Sequence, residues 1–296
     1  MSNVPAKTKT ALAQFLNSRG ARGLSKSTVS WYGRILAPFC RICPDLPTKF
    51  QPIEAFMSAL NCSDETRHAY YRALRAFYNY LYPRRSQANP MLDIAAPRRR
   101  KKIPYNLTMP EIGYLLAVPL SKRDRALIEL LLDTGVRIGE ALGLCKQDLL
   151  TDTIMVDGKT GQREVPISDS VREQLLDLPG QGTIFSGQRG PLKYTGAYRV
   201  VKLALMRAGI HAKKSGPHTI RHTFGRQYIM AGGDLVSLQR ILGHSQISTT
   251  RIYAELDLRD ITVQHAKFSP LVTLAVAMAR SELKVEEREI SRRLKN

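Results

Sequence analysis

The chain has 296 residues, 43% of them hydrophobic, with 45 Lys or Arg against 25 Asp or Glu and a formal net charge of +20. That length and apolar content suit one large domain or two ordinary ones with proper cores, which excludes a disordered chain, and no apolar run approaches the roughly 18 residues of a membrane span. Four scattered cysteines (Cys40, Cys43, Cys62, Cys145) exclude a disulfide framework, and the opening MSNVPAKTKTALAQ lacks a signal peptide's apolar core, so a cytoplasmic location is expected. The charge is the informative quantity. Solubility of a small domain needs a net charge of only about 2–8, so a surplus this large points to a polyanionic partner, nucleic acid, rather than to a membrane, for which no basic amphipathic anchor or lipidation signal exists.

In chain order, Ser27-Thr28 precedes an apolar-periodic run to Cys40, which predicts a helix. From Thr66 to Tyr82, Tyr70, Leu74, Phe77 and Leu81 recur at spacings of four, three and four, one face of a second helix. Arg67, His68, Arg72 and Arg75 fall on its outer side, where the arginines could meet DNA. Cys40 and Cys43 form a lone CxxC with no second pair and no nearby histidine, so a metal site is not expected there. Between Arg84 and Lys102 seven basic residues stand against one acid, Asp93, and Pro83, Pro90, Pro97 and Pro104 punctuate the region around Arg98, Arg99, Arg100, Lys101 and Lys102. Proline disfavours regular structure and a run of like charge repels itself, so this is an extended linker suited to lie along phosphates.

Downstream, Thr108-Met-Pro-Glu111 is a capping-box pattern, and Ser121 opens a long apolar helix that stops at Gly135. Thr153–Val156 and Arg163–Ile167 are β-branched runs around Asp157-Gly-Lys-Thr-Gly161, a hairpin signal. From Ser168 onward the pattern is mostly helical. The expected architecture is therefore mainly α with a small β-hairpin, in two domains.

No zinc-protease pattern, paired CxxC, phosphate-binding loop, serine-hydrolase elbow or carboxylate cluster is present. Instead, cations gather next to glycine breaks. His218-Thr-Ile-Arg221-His222 follows Gly216-Pro217 and so opens a helix, with His218 and Arg221 on one face and the helix N-terminus supplying amides suited to a phosphate. His244 follows Gly243 at a helix end. Tyr253 comes nine residues later, and Arg137 sits at a helix junction with Glu140 three residues on. Cations without an acidic metal cage suit an anionic substrate attacked without a metal, and a phosphodiester is the obvious candidate.

The stretches TGVRIGEALGL (134–144), VDGKTGQREVPI (156–167), HTIRHTF (218–224) and LQRILGHSQISTTRIYAEL (238–256) resemble, in order, those of the tyrosine recombinase (integrase) family. The upstream helices resemble its helical, SAM-like core-binding domain. The resemblance implies domains at 1–97 and 107–296, joined by a basic linker at 98–106. It also implies a catalytic set of Arg137, Lys159, His218, Arg221, His244 and the nucleophile Tyr253. The hairpin reads GKTGQRE where the family more often has GKGxKxR, which leaves Lys159 as the turn lysine and Arg163 as its fallback. Double-stranded DNA with inverted-repeat sites, a homotetramer on that DNA (alone or with a paralogous partner) and a Holliday-junction intermediate are implied, with no metal or cofactor. Segment 270–296 is expected to dock between subunits.

The chemistry fits that set. Exposing phenolate at pH 7 costs roughly 4 kcal/mol for a phenol of pKa about 10, so a nearby base is needed, and His218, with His244 close by, is the expected acceptor. Arg137 and Arg221 can each fork onto the charge that develops on phosphate, and Lys159 can protonate the leaving 5′-oxygen. Glu140 and His222 are expected to orient Arg137 and the phosphate cradle. Two alternatives share parts of this reading: a type IB topoisomerase, which religates the same strand, and a DNA-binding regulator without catalysis.

Overall fold

Short polar residues fix where the helices begin. A computed structural model describes residues 6–82, 88–98, 104–158, 161–179, 182–187, 190–211, 215–254, 258–271 and 274. The chain divides into two compact units, Met1–Lys102 and Ile103–Asn296.

In the first unit, α1 (Thr8–Ala21), α2 (Lys26–Ile42), α3 (Phe50–Ala59) and α4 (Asp64–Leu81) surround an aromatic core. Helix α2 starts just before the expected Ser27-Thr28, because Ser25 caps it by accepting from the Thr28 amide; Ser63 caps α4 in the same way through Thr66. Phe15 sits at the centre, with Tyr32, Phe77 and Tyr80 edge-on around it at 5.1–5.6 Å and the Arg19 guanidinium 4.7 Å from its ring centre. The expected α4 stripe faces this core: Leu74, Phe77 and Leu81 are buried, and Tyr70 is half-buried beside the fully covered Tyr71 and Tyr78. Of the outer arginines, Arg72 and Arg75 are exposed, whereas Arg67 turns inward and donates to the Leu60 carbonyl at 2.8 Å. Arg98 is exposed. Arg99, Arg100, Lys101 and Lys102 lie outside the described residues, as does most of segment 270–296.

The second unit runs α5 (Met109–Ala117), α6 (Lys122–Thr134), α7 (Ile138–Gly143), the hairpin β1 (Thr153–Gly158) and β2 (Gly161–Pro166), then α8 (Asp169–Leu176). After these come a minimal pair of strands, β3 (Ser186–Gly187) and β4 (Gly190–Pro191), and then α9 (Tyr194–Arg207), α10 (Pro217–Met230), α11 (Leu235–Leu242), α12 (Ile247–Thr250) and α13 (Leu258–Phe268). The capping box at Thr108–Glu111 is formed in both directions, and Ser121 caps α6. Strands β1 and β2 are antiparallel, with Val156 opposite Arg163 and Gly158 opposite Gly161. The sequence does not announce β3 and β4; two-residue strands are too short to carry an alternating pattern. Among the described residues no helix is long and apolar enough to cross a membrane.

The core of this unit joins α6, α7, the hairpin, α8 and α9, while Ile229, Leu238, Leu242 and Tyr253 form a separate small cluster between α10 and α11. The chain enters through Leu107, fully buried, whose amide donates to Thr223 Oγ1 at 2.8 Å and whose carbonyl accepts from Gln227 Nε2 at 3.2 Å, both on α10. Helices α6 and α11 each end at a left-handed glycine, Gly135 (φ +62°) and Gly243 (φ +61°).

At Gly135 the left-handed backbone coincides with close packing: an added Cβ would stand 2.3 Å from Phe224 Cδ1 and 2.9 Å from Leu242 Cδ2. Strain of about 1–2 kcal/mol for the backbone and about 1–3 kcal/mol for overpacking should make Gly135→Ala destabilising by about 2–5 kcal/mol in urea denaturation of the full chain. Gly139→Ala in α7, where an added Cβ meets nothing within 4 Å, should leave the midpoint unchanged or raise it.

Candidate active site

Two helix ends and one helix start converge on a group of guanidiniums. Arg137 is the N-cap of α7, and Glu140, three residues on, closes the cap with its side chain: Oε2 accepts from the Arg137 amide at 2.9 Å and Oε1 from Arg137 Nη1 at 2.7 Å. The same carboxylate receives Arg163 of β2, with Nη1 and Nη2 at 3.1 and 2.9 Å from its two oxygens. Glu140 is only 5% exposed. Burial alone would raise its pKa, but the hydrogen bonds from Arg163 and Arg137 outweigh it and hold the carboxyl at about 2. Arg163 is further fixed by donating Nε to the Ile241 carbonyl at 3.0 Å. It is therefore a strut between β2, α7 and α11, which removes it as the fallback proton donor.

Arg221 lies one turn into α10 and is 5% exposed. Its Nη1 donates to the Gly135 carbonyl at 2.8 Å and its Nη2 to the Leu242 carbonyl at 2.6 Å, so it bridges the C-terminal ends of α6 and α11, where helix dipoles favour a cation. Burial first, then the charge of Arg137, brings its pKa down to about 10, which leaves it cationic at neutral pH. Arg137 Nη2 approaches the Gly243 carbonyl at 3.4 Å, so both arginines are anchored at the end of α11.

Arg221 Nη2 also stands 3.0 Å from His244 Nε2. A guanidinium can only donate, so Nε2 must accept; the ring proton is thereby assigned to Nδ1, which meets Thr250 Oγ1 at 2.9 Å. Burial, with the charges of Arg221 and Arg137, lowers the His244 pKa to about 4, and the ring is neutral. His218, in the first turn of α10, is also lowered, by burial and by Arg221 and Arg137; because its side chain is open to solvent, the two charges are the firmer cause.

Tyr253, 4% exposed, lies in a single 3-10 turn after α12. Its ring stacks parallel to His244 at 6.4 Å between centres and rests on the α10 backbone at Gly225, where a Cβ would stand 2.9 Å from Cε1 and Cζ. Its hydroxyl is 3.0 Å from His222 Nδ1. This differs from the sequence expectation in two respects. The histidine that meets the phenol is His222, not His218, because one helical turn along α10 carries it to where the 3-10 turn passes. His222 in turn faces Tyr253 and makes no ion pair with Arg137 or Glu140. Burial, followed by the charges of His218 and Arg221, lowers the His222 pKa to about 4, and burial raises that of Tyr253.

The structure thus brings together Arg137, Arg221, His244, His218, His222, Glu140 and Tyr253. Lys159 lies outside the described residues. Arg163 as the second partner of Glu140 and Gly225 as the seat of the tyrosine ring were not foreseen from the sequence. The signal for Gly225 is a glycine in the middle of a helix, where it is costly without a close neighbour to accommodate.

Residues 107–259 match the Phage integrase family. The tyrosine recombinase XerD of Chlorobaculum tepidum is 34% identical over 222 residues, 67% of this chain and 73% of its own length. The tyrosine recombinase XerC of Thermodesulfovibrio yellowstonii is 29% identical over 295 residues, 89% and 97% of the two chains. Among solved structures, the XerH site-specific recombinase bound to difH substrate in a pre-cleavage complex aligns with a TM-score of 0.66 at 23% identity over 91% of each chain. The Tn1549 transposon integrase in complex with transposon right end DNA aligns at 0.71 and 19% identity, over 88% of this chain and 99% of that one. At these identities the two structures show a common fold.

Two pH effects follow. Glu140 is depressed to about 2 in the folded state against about 4.3 unfolded, so its contribution is complete above pH 4.3 and is lost as pH falls toward 2. Glu140→Gln should cost about 3–5 kcal/mol at pH 7 by leaving two guanidiniums on a neutral amide. The gap to wild type in denaturant titrations should narrow between pH 5 and 2; a constant gap would show that the carboxylate charge is not what matters. His222 and His244 are depressed to about 4 against about 6.5 unfolded, so stability should already decline as pH falls from about 6.5 toward 4, before most carboxylates titrate. The doubly substituted His222→Asn/His244→Asn chain should show a flatter profile across that window.

Proposed function

The chain belongs to the Phage integrase family and is a tyrosine recombinase, an enzyme of DNA cleavage and rejoining, and on that basis we propose that Tyr253 cuts one DNA strand and holds it as a 3′-phosphotyrosyl ester. The observation that carries this reading is the convergence of Arg221 and Arg137 on the end of α11 beside Tyr253, whose ring stacks on the same His244 that accepts from Arg221. The phenol feels the charges of both guanidiniums, and both are fixed before any substrate arrives.

In this reading the scissile phosphate sits against Arg137 and Arg221, which meet the charge that builds on its non-bridging oxygens. Removing one such preorganised donor costs about 10²–10³ in rate. Glu140 and Arg163 hold Arg137, and His244 holds Arg221 and covers the tyrosine ring. His218, the exposed residue in the otherwise buried first turn of α10, borders the same cluster. The leaving 5′-oxygen takes a proton from Lys159. The ester keeps the energy of the broken phosphodiester, so a 5′-hydroxyl from another strand can reverse the step without a nucleotide cofactor. Exchange of one pair of strands and then the other passes through a Holliday junction.

The partner is double-stranded DNA with inverted-repeat sites, bound by a homotetramer, alone or with a paralogue, in the cytoplasm at the nucleoid. This is supported by the net charge of +20 and by the DNA complexes of XerH and the Tn1549 integrase, which share the fold. The helical unit, as a core-binding domain, and the basic run Arg98–Lys102, as a phosphate-tracking linker, complete the grip; Arg72 and Arg75 are free to take part, while Arg67 is held by Leu60. The biological task is integration and excision of a mobile element, or resolution of replicon dimers of the Xer kind.

Tyr253→Phe removes one oxygen and keeps the ring on Gly225. It should bind DNA as wild type does, yet leave no detergent-resistant protein–DNA adduct on sheared genomic DNA that wild type labels. An adduct that persists in this variant would move the nucleophile to another residue.

A further inference from the structure

The short helix that precedes the nucleophile has little of its own to hold it. Helix α12 opens at Gln246 without a side-chain cap, and Ile247, Ser248 and Thr249 are all exposed. Thr250 is its one buried residue, 0% exposed, and is also the N-cap of the 3-10 turn that ends in Tyr253. Thr250 Oγ1 stands 2.9 Å from His244 Nδ1, six residues back. His244, by contrast, is fixed at every polar group. Its amide donates to the Gln239 carbonyl at 3.1 Å, its carbonyl accepts from Gln239 Nε2 at 3.0 Å, and its Nε2 faces Arg221 Nη2 at 3.0 Å. The Tyr253 ring lies parallel to this imidazole, within 8° and with 6.4 Å between centres. Through one imidazole, Thr250 therefore joins the nucleophile's segment to an arginine of the cluster.

We infer that Thr250 is a positioning residue for strand cleavage: its oxygen decides which nitrogen of His244 faces Arg221, and thereby seats the Tyr253 turn against the arginine pair. This rests on the strand-cleavage reading above. A neutral imidazole carries one N–H, and the partner of one ring nitrogen decides the state of the other. Arg221 can only donate, so Nε2 must be bare and Nδ1 must hold the proton. A half-buried Nδ1–H needs an acceptor, and among the described residues Thr250 Oγ1 is the one it meets.

Without that oxygen the imidazole has two poor choices. It can leave Nδ1–H unpaired, or move the proton to Nε2 and set it against the Arg221 N–H. Either choice loosens the ring, and the ring is the face on which Tyr253 lies. Arg221 itself stays in place, because the Gly135 and Leu242 carbonyls hold it. The loss therefore falls on the approach of the phenol to phosphorus and not on the binding of DNA.

Thr250→Val and Thr250→Ser form a crossed test in the full-length chain. Valine keeps the shape of the side chain and removes the oxygen; serine keeps the oxygen and removes a methyl. Each is compared with wild type in single-turnover cleavage of a nicked duplex, whose sequence wild type captures covalently from sheared genomic DNA. Thr250→Val should bind that duplex with unchanged affinity and cleave it about 10–100-fold more slowly, the cost of losing a residue that orients a working imidazole. Thr250→Ser should cleave close to the wild-type rate. Equal loss in both variants, or a serine chain slower than the valine chain, assigns Thr250 to packing and overturns the inference. A second measurement guards against a valine chain that fails to fold. In 15N-histidine NMR of the free wild-type protein, with His244 assigned by its absence from His244→Gln, the proton should sit on Nδ1 with Nε2 accepting. A proton on Nε2 in a chain that still captures DNA overturns this role alone. The Nδ1 signature should be lost in Thr250→Val and persist in Thr250→Ser; slow cleavage by Thr250→Val with that proton retained also overturns the inference. A wild-type chain that captures no DNA overturns the strand-cleavage reading, and this role with it, whatever the spectra show.

Discussion

One carboxylate holds the site together. Glu140 pairs with two guanidiniums, and its two oxygens are shared between the start of α7, through the Arg137 amide and side chain, and strand β2, through Arg163. Arg163 then reaches the last turn of α11. A helix start, a hairpin and a helix end are thereby held in register by a group too buried to be replaced by water. A carboxylate in such a place is favourable only while fully paired, which makes the register of these three elements all-or-none. Gly158 belongs to the same constraint: a Cβ there would stand 2.5 Å from Glu140 Oε1, so the hairpin can approach only as glycine.

The second consequence is an electrostatic imbalance. Arg137, Arg163 and Arg221 against Glu140 leave an excess of two positive charges in a poorly hydrated place, and the neighbouring histidines respond by staying neutral. Carbonyls at the ends of α6 and α11 offset part of that excess. The two left-handed glycines are what expose those carbonyls, since a helix running straight on would have bonded them internally. The site is therefore complete in shape and incomplete in charge, and an anion is the component it lacks.

Much of this is legible in the sequence. Gly216-Pro217 ahead of His218, Gly135 ahead of Arg137 and Gly243 ahead of His244 are local signals, each placing a histidine or an arginine at a helix boundary, and each boundary lies where the sequence puts it. The hairpin and the Thr108 and Ser121 caps are likewise written in a few adjacent residues. What could not be read are partnerships across long separations. Arg163 meets Glu140 from 23 positions away, and His222 meets Tyr253 from 31. Helical periodicity says that His218, Arg221 and His222 project near one another, but only the path of the chain after α11 decides which histidine the tyrosine passes. Arg67 shows the same limit: its place on the outer face of α4 is visible in the sequence, while its capture by the Leu60 carbonyl depends on how α3 ends.

The attachment of Leu107 carries a mechanical implication. Its amide and carbonyl stand just before the Thr108 cap of α5, and both are held by side chains of α10, the helix that also bears His218, Arg221 and His222. Thr223 is adjacent to His222, and Gln227 is one turn further on. A tensile load applied to the chain upstream of Leu107 therefore has two outcomes: it breaks one buried and one half-buried hydrogen bond, or it is delivered to α10 as a rigid-body pull. Arg221 and His222 sit within two residues of Thr223, so strain just upstream of Leu107 is delivered to the helix that bears them.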